Sequence, residues 1–154
     1  MDGTMKTKQK DIGVTLIELA VVVAIIGIMA VFMAPAIGEW LDNYRIRQTA
    51  RDIISTLQQA KMQAISTRTS CSVTFNTANN TYQIQGGALV QTPRAVSIPN
   101  TDFDADGDAV RFNPNGTSSS TSLNDSIYIN NAKGKQYRIR ISPSGGISLQ
   151  EGWT

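Results

Sequence analysis

Three groups of side chains in this chain could do chemistry. Asp102, Asp104, Asp106 and Asp108 alternate along "TDFDADGDAVRFN", with Gly107 among them. Asp102-x-Asp104-x-Asp106-Gly107 repeats the first half of an EF-hand loop, in which carboxylate oxygens on a sharp turn take a hard cation such as Ca2+. The second half departs from that pattern, because the twelfth position is Asn113 rather than a bidentate glutamate. A calcium site and a plain acidic turn are the two alternatives. The second group is Lys133, Lys135, Arg138 and Arg140, around Gly134. Four bases on one hairpin could hold DNA phosphates with strong salt dependence, or form a solvated or salt-bridged outer face. The third is Glu18 alone, at the head of an apolar run. An ionised carboxylate in a membrane costs about 2.5–3.5 kcal/mol, and such groups usually pair.

Other chemistry is absent. The chain has no histidine and a single cysteine, Cys71. That removes Ser-His and Cys-His nucleophiles, most zinc sites and any intramolecular disulfide. Paired carboxylates can serve glycoside hydrolysis, but nothing else here suggests a substrate cleft, and no enzyme is expected. The net charge of +2 over 154 residues implies no nucleic-acid partner by itself.

The elements that must position these groups follow from periodicity. From Leu19 to Ile37 the chain carries no charge, and Lys6, Lys8 and Lys10 precede that run. About 20 apolar residues span a bilayer as a helix. The positive-inside rule places the N-terminus in the cytoplasm and the remainder outside. A cleaved secretory signal is the alternative, with Ala34-Pro35-Ala36 as its A-x-A site. The apolar run is too long for it, Glu18 interrupts its start, and helical periodicity continues past Ala36. Thr15-Leu16-Ile17-Glu18 also reads as a capping box at the helix start. Beyond Trp40, Leu41, Tyr44, Ala50, Ile53, Ile54, Leu57, Ala60, Ala64 and Ile65 recur at three- and four-residue spacing. Arg45, Arg47 and Arg51 on this stem either face solvent or contact anionic lipid. The whole helix, Val14 to about Thr67, would be roughly 80 Å long. Pro35 lies within it and should kink it.

After Thr69 the period changes from 3.6 to 2. Strands are predicted at Cys71–Asn76, Thr81–Gln85, Ala95–Ile98, Ala109–Asn113, Ser126–Asn130, Gln136–Ser142 and Gly146–Leu149. Thr117–Ser122, all Ser and Thr, is predicted as an exposed loop. The fold class is therefore α+β, a long helix followed by a mostly antiparallel β-domain.

Gly13 followed by Val14-Thr15-Leu16-Ile17-Glu18-Leu19 resembles the class III signal of type IV prepilins and pseudopilins. The C-terminal "VRFNPNGTSSS" and "SIYINNAKGKQYRIRISPSGGISL" resemble the β-domain of the GspH/FimT branch. The resemblance implies a type IV pilin-like fold in four parts. Residues 1–13 form a leader that is removed, residues 14–38 the transmembrane half of the helix, residues 39–68 the stem, and residues 69–154 the β-domain. It implies cleavage after Gly13 by prepilin peptidase, N-methylation of Val14, and pairing of Glu18 with the new α-amine of a neighbouring subunit. It also implies a single-pass inner-membrane protein with a periplasmic domain, which joins other pilin or pseudopilin subunits in a filament without a cofactor. Members of this branch serve type II secretion, as initiating or capping subunits, or type IV pili, where some bind DNA through Gly-Arg-x-Arg. The matching stretch here, Ser144-Gly145-Gly146-Ile147-Ser148, lacks those arginines. Val14 stands where phenylalanine is usual.

Overall fold

A computed structural model describes residues 14–103, 108–119 and 125–152, with the backbone alone at residues 34–36. Helix α1 runs from Leu16 to Thr67, and the chain divides into two compact units after Ile37.

In the first unit, α1 begins where Thr15 caps it. The Thr15 carbonyl accepts the Leu19 N–H at 3.2 Å, and Thr15 Oγ1 accepts the Glu18 N–H at 3.3 Å. The first bond opens the helical ladder, and the second satisfies one of the four amide groups that a helix start leaves unpaired. Leu16–Met33 has a mean hydropathy of 2.8 and is long and apolar enough to cross a membrane. Its large side chains are exposed on every face. A helix that is apolar all round belongs in lipid or among similar helices.

In the second unit, the stem of α1 buries one stripe. Ile46, Ala50, Ile53, Leu57, Ala60 and Ala64 are all fully buried, and their spacing alternates four and three residues, which keeps them on one face. The helix stops at Thr67, and Arg68 follows with φ of 55°, the left-handed position usual just past a helix C-terminus.

Eight strands follow: β1 (Cys71–Asn76), β2 (Thr81–Ile84), β3 (Leu89–Gln91), β4 (Val96–Asp102), β5 (Ala109–Phe112), β6 (Ser126–Asn131), β7 (Gln136–Ile141) and β8 (Ile147–Glu151). They form two four-stranded sheets, ordered β3-β2-β1-β5 and β4-β6-β7-β8, and every named pairing is antiparallel. One apolar core joins the stem stripe to the inner faces of both sheets, with Val73 and Phe75 from the first and Ile127, Ile129, Ile139 and Ile141 from the second. Alternation along β7 buries Tyr137, Ile139 and Ile141 and leaves Arg138 and Arg140 on the outer face, as the period-2 pattern requires. The Asn79-Asn80 turn ties the two sheets together. Asn80 has φ of 52°, and its Oδ1 accepts the Ile98 N–H at 2.8 Å.

Four details differ from the sequence reading. The buried stem face takes in Ile46, which the predicted stripe lacks, and leaves Tyr44 and Ile65 exposed, because the face turned to the sheets is narrower than the apolar face of the helix. β3 was not predicted, because all its residues are exposed and show no alternation. β4 continues past Pro99 to Asp102, with a register shift between Ser97 and Asn100. Proline is tolerated there because β4 is an edge strand, where a missing N–H need leave no neighbour unpaired. The predicted exposed loop at 117–122 has a buried member. Ser118, 6% exposed, bridges to Phe112, takes the Pro143 carbonyl with its N–H and the Ser142 carbonyl with its hydroxyl. Two hydrogen bonds make that polar burial affordable.

Candidate assembly and processing site

Gly13 lies outside the described residues. Val14 is 74% exposed, immediately ahead of the cap. Glu18 occupies the first turn of α1 and is exposed. The backbone half of the capping box is formed through Thr15. Among the described residues, the Glu18 carboxylate has no hydrogen-bond or ion-pair partner of its own. A carboxylate in the first turn suits the helix dipole, by about 0.3–1 kcal/mol. That is less than the cost of ionising it in lipid. The arrangement therefore presents an exposed Val14 and, four positions later, an acid free to accept a cation.

The acidic stretch is only partly described, since Asp104 and Asp106 lie outside the described residues. Asp102 ends β4 and is exposed. Asp108 is engaged locally: its Oδ1 accepts the Thr101 hydroxyl at 2.6 Å, and its carbonyl accepts the Phe75 N–H at 2.7 Å. Among the described residues no group of three or more potential ligands comes together.

The four bases are divided between a turn and a strand. Asn131 builds the β6–β7 turn, its Oδ1 accepting the N–H groups of Lys133 and Lys135 at 3.1 and 2.8 Å. Gly134, with φ of 82°, completes it. Lys135 Nζ is 2.6 Å from Glu151 Oε1 and sits 5.7 Å from the Tyr137 ring centre. That contact raises the Lys135 ammonium above its ordinary value and holds the Glu151 carboxyl below the usual carboxylate range. Arg138 donates from Nε to Ser126 Oγ at 2.9 Å and stacks 5.4 Å over Tyr128. Arg140 lies beyond it on β7, its Nε buried and without a hydrogen bond among the described residues. On the stem, Arg45 is 3.5 Å from Asp42, and Arg47 Nε donates to the Tyr137 hydroxyl at 3.4 Å.

Sequence reasoning missed one joint. Lys61 Nζ reaches from α1 to the Gly145 carbonyl at 2.9 Å. Gly145 (φ 76°) and Gly116 (φ 82°) approach so closely that a Cβ on Gly145 would lie 2.0 Å from the Gly116 carbonyl oxygen. Both glycines lie in the motifs that carry the C-terminal resemblance. The signal was present as two glycine turns, but nothing in the sequence said that they meet.

A long helix with an apolar head, running into an antiparallel β-domain, is the α+β architecture of pilin-like subunits. Family comparison agrees at both ends of the chain. A model described as type II transport protein GspH matches residues 49–145, and the prokaryotic N-terminal methylation motif matches residues 8–34. Nothing among curated proteins or solved structures matches the chain. The GspH match covers more than half of the 154 residues, and the chain belongs to that family. It is a pseudopilin or minor pilin of type II secretion or type IV pili, a structural subunit and not an enzyme. Its family assembles with other pilins or pseudopilins and is processed by prepilin peptidase, and its N-terminal apolar helix is an inner-membrane anchor.

Proposed function

We propose that the subunit is cut after Gly13 at the cytoplasmic face, methylated on Val14, and drawn by Glu18 into a periplasmic filament, which it initiates or caps. In this reading the lysine-rich leader stays in the cytoplasm and the β-domain lies in the periplasm. Cutting creates an α-amine on Val14, and a neighbouring subunit offers its own amine to Glu18. The ion pair offsets the cost of the carboxylate in lipid, and packing between apolar helices supplies most of the cohesion. The observation that carries the proposal is Glu18: an exposed carboxylate without a partner among the described residues, at the head of an otherwise apolar helix.

Glu18→Gln tests it. Glutamine serves in a capping box as well as glutamate does, so the variant keeps the helix start and removes only the charge. The expected result is a stable, processed, membrane-held subunit that fails to enter filaments in a pull-down of sheared pili or overproduced pseudopili. Normal incorporation of the variant would sink the docking role.

A further inference from the structure

Trp40 and Tyr44 stand one helical turn apart on α1, their rings stacked 5.7 Å between centres and 19° between planes. They are 64% and 54% exposed, and neither belongs to the core, although Ile46 close by is fully buried. Other apolar side chains of this unit, such as Met62 and Leu89, are also exposed, but these two rings stack on each other next to the apolar run. Their place in the chain points to a partner. Glu18 and Glu39 bracket the uncharged run Leu19–Gly38. At about 1.5 Å per residue that run rises roughly 30 Å, the thickness of a bilayer's hydrocarbon core. Counted along the chain, Trp40 follows the run by two positions, and Tyr44 follows Trp40 by about 6 Å of rise.

If that run spans the bilayer, its end lies at the depth of the phospholipid headgroups. Tryptophan and tyrosine suit that layer because each has an apolar ring for the acyl boundary and an N–H or O–H for the wet side. The surrounding charges fit it as well. Asp42 and Arg45 pair at 3.5 Å, so this turn offers a balanced charge pair and does not require anionic lipid.

We propose that Trp40 and Tyr44 form an interfacial clamp that seats in the phospholipid headgroup layer on the β-domain side. The clamp fixes the depth at which the subunit waits before assembly. The proposal rests on reading Leu16–Met33 as membrane-inserted, and its test separates the two. The full chain is reconstituted in phosphatidylcholine vesicles with bromines placed either near the headgroups or near the bilayer centre. The chain has two tryptophans, so Trp153→Phe leaves Trp40 as the sole reporter. A second protein, Trp40→Phe with Trp153→Phe and Met29→Trp, reports the middle of the span.

Trp40 emission should be quenched at least about twofold more by shallow bromines than by deep ones, and the tryptophan at position 29 should show the reverse. If position 29 is quenched by deep bromines while Trp40 is untouched, or is quenched mainly by deep ones, the clamp is wrong and the anchor stands. If neither reporter is quenched, both the anchor and the clamp fail.

Discussion

Replacing Gly145 by alanine places a Cβ 2.0 Å from the Gly116 carbonyl oxygen and 3.2 Å from Lys61 Nζ. Carbon and carbonyl oxygen approach to about 3.3 Å at closest, so one turn must retreat by roughly 1.3 Å. The obstacle is backbone, which cannot rotate aside as a side chain would. The left-handed backbone at Gly145, φ 76°, adds about 1–2 kcal/mol for an L-residue. The retreat also stretches the bond from Lys61 to the Gly145 carbonyl, 2.9 Å, and the bond from the Ser118 N–H to the Pro143 carbonyl, 3.1 Å. A charged hydrogen bond of the first kind contributes about 1.5–3 kcal/mol. The total loss should be on the order of 3–5 kcal/mol, among the larger effects a single substitution produces. Gly134→Ala is the control. Its φ of 82° carries the same backbone penalty, but nothing lies within 4 Å of its Cβ, so it should cost only about 1–2 kcal/mol. Urea unfolding of the full chain in detergent, followed by the near-ultraviolet dichroism of buried Tyr82 and Tyr137, compares them. Equal losses for the two variants would refute the joint between the stem and the two glycine turns.

Two further outcomes follow from the titrating groups. Cys71 is 3% exposed, and burial pushes its thiol up, so little reactive thiolate forms. Alkylation should be negligible in the folded subunit and should follow the urea transition. Rapid labelling without urea would show that β1 opens. The Glu151 carboxyl, held down first by its hydrogen bond from Lys135, binds a proton less readily folded than unfolded. Its contribution to stability is thus fully present above the ordinary carboxylate value near about 4.3 and is lost as pH falls through the lowered folded value. Carbon-detected titration should find Glu151 below the ordinary range, and Lys135→Met should return it there. An unmoved midpoint in that variant would contradict the pairing.

Much of the fold was legible because burial here follows simple periods. The stem stripe from Ala50 to Ala64 alternates three and four residues, and β7 alternates buried and outer positions, so both announce themselves. Ile46 was missed at its head, where Tyr44 is also apolar and the period alone does not choose between them. β3 could not be read, since three exposed residues on a sheet edge carry no alternation. The predicted strand at Ala95–Ile98 fell short of Asp102 because edge position, which tolerates Pro99, is a property of the sheet and not of the strand. Nor does any period say that β1 lies between β2 and β5. At the N-terminus, Thr15 and Glu18 were legible as a cap because both partners sit within one turn. The charge partner of Glu18 was not, since in this account it belongs to another subunit. The hairpin bases were legible as charges but not as pairs, because Glu151 reaches Lys135 only through the β7–β8 register.

The central claim is that the mature chain begins at Val14 with a modified amine, four residues ahead of a carboxylate that needs one. Intact-mass and N-terminal peptide mass spectrometry of the subunit purified from membranes tests this most directly. The account predicts a chain starting at Val14 and carrying one N-methyl group. A chain that retains residues 1–13, or that begins after Ala36, would contradict it.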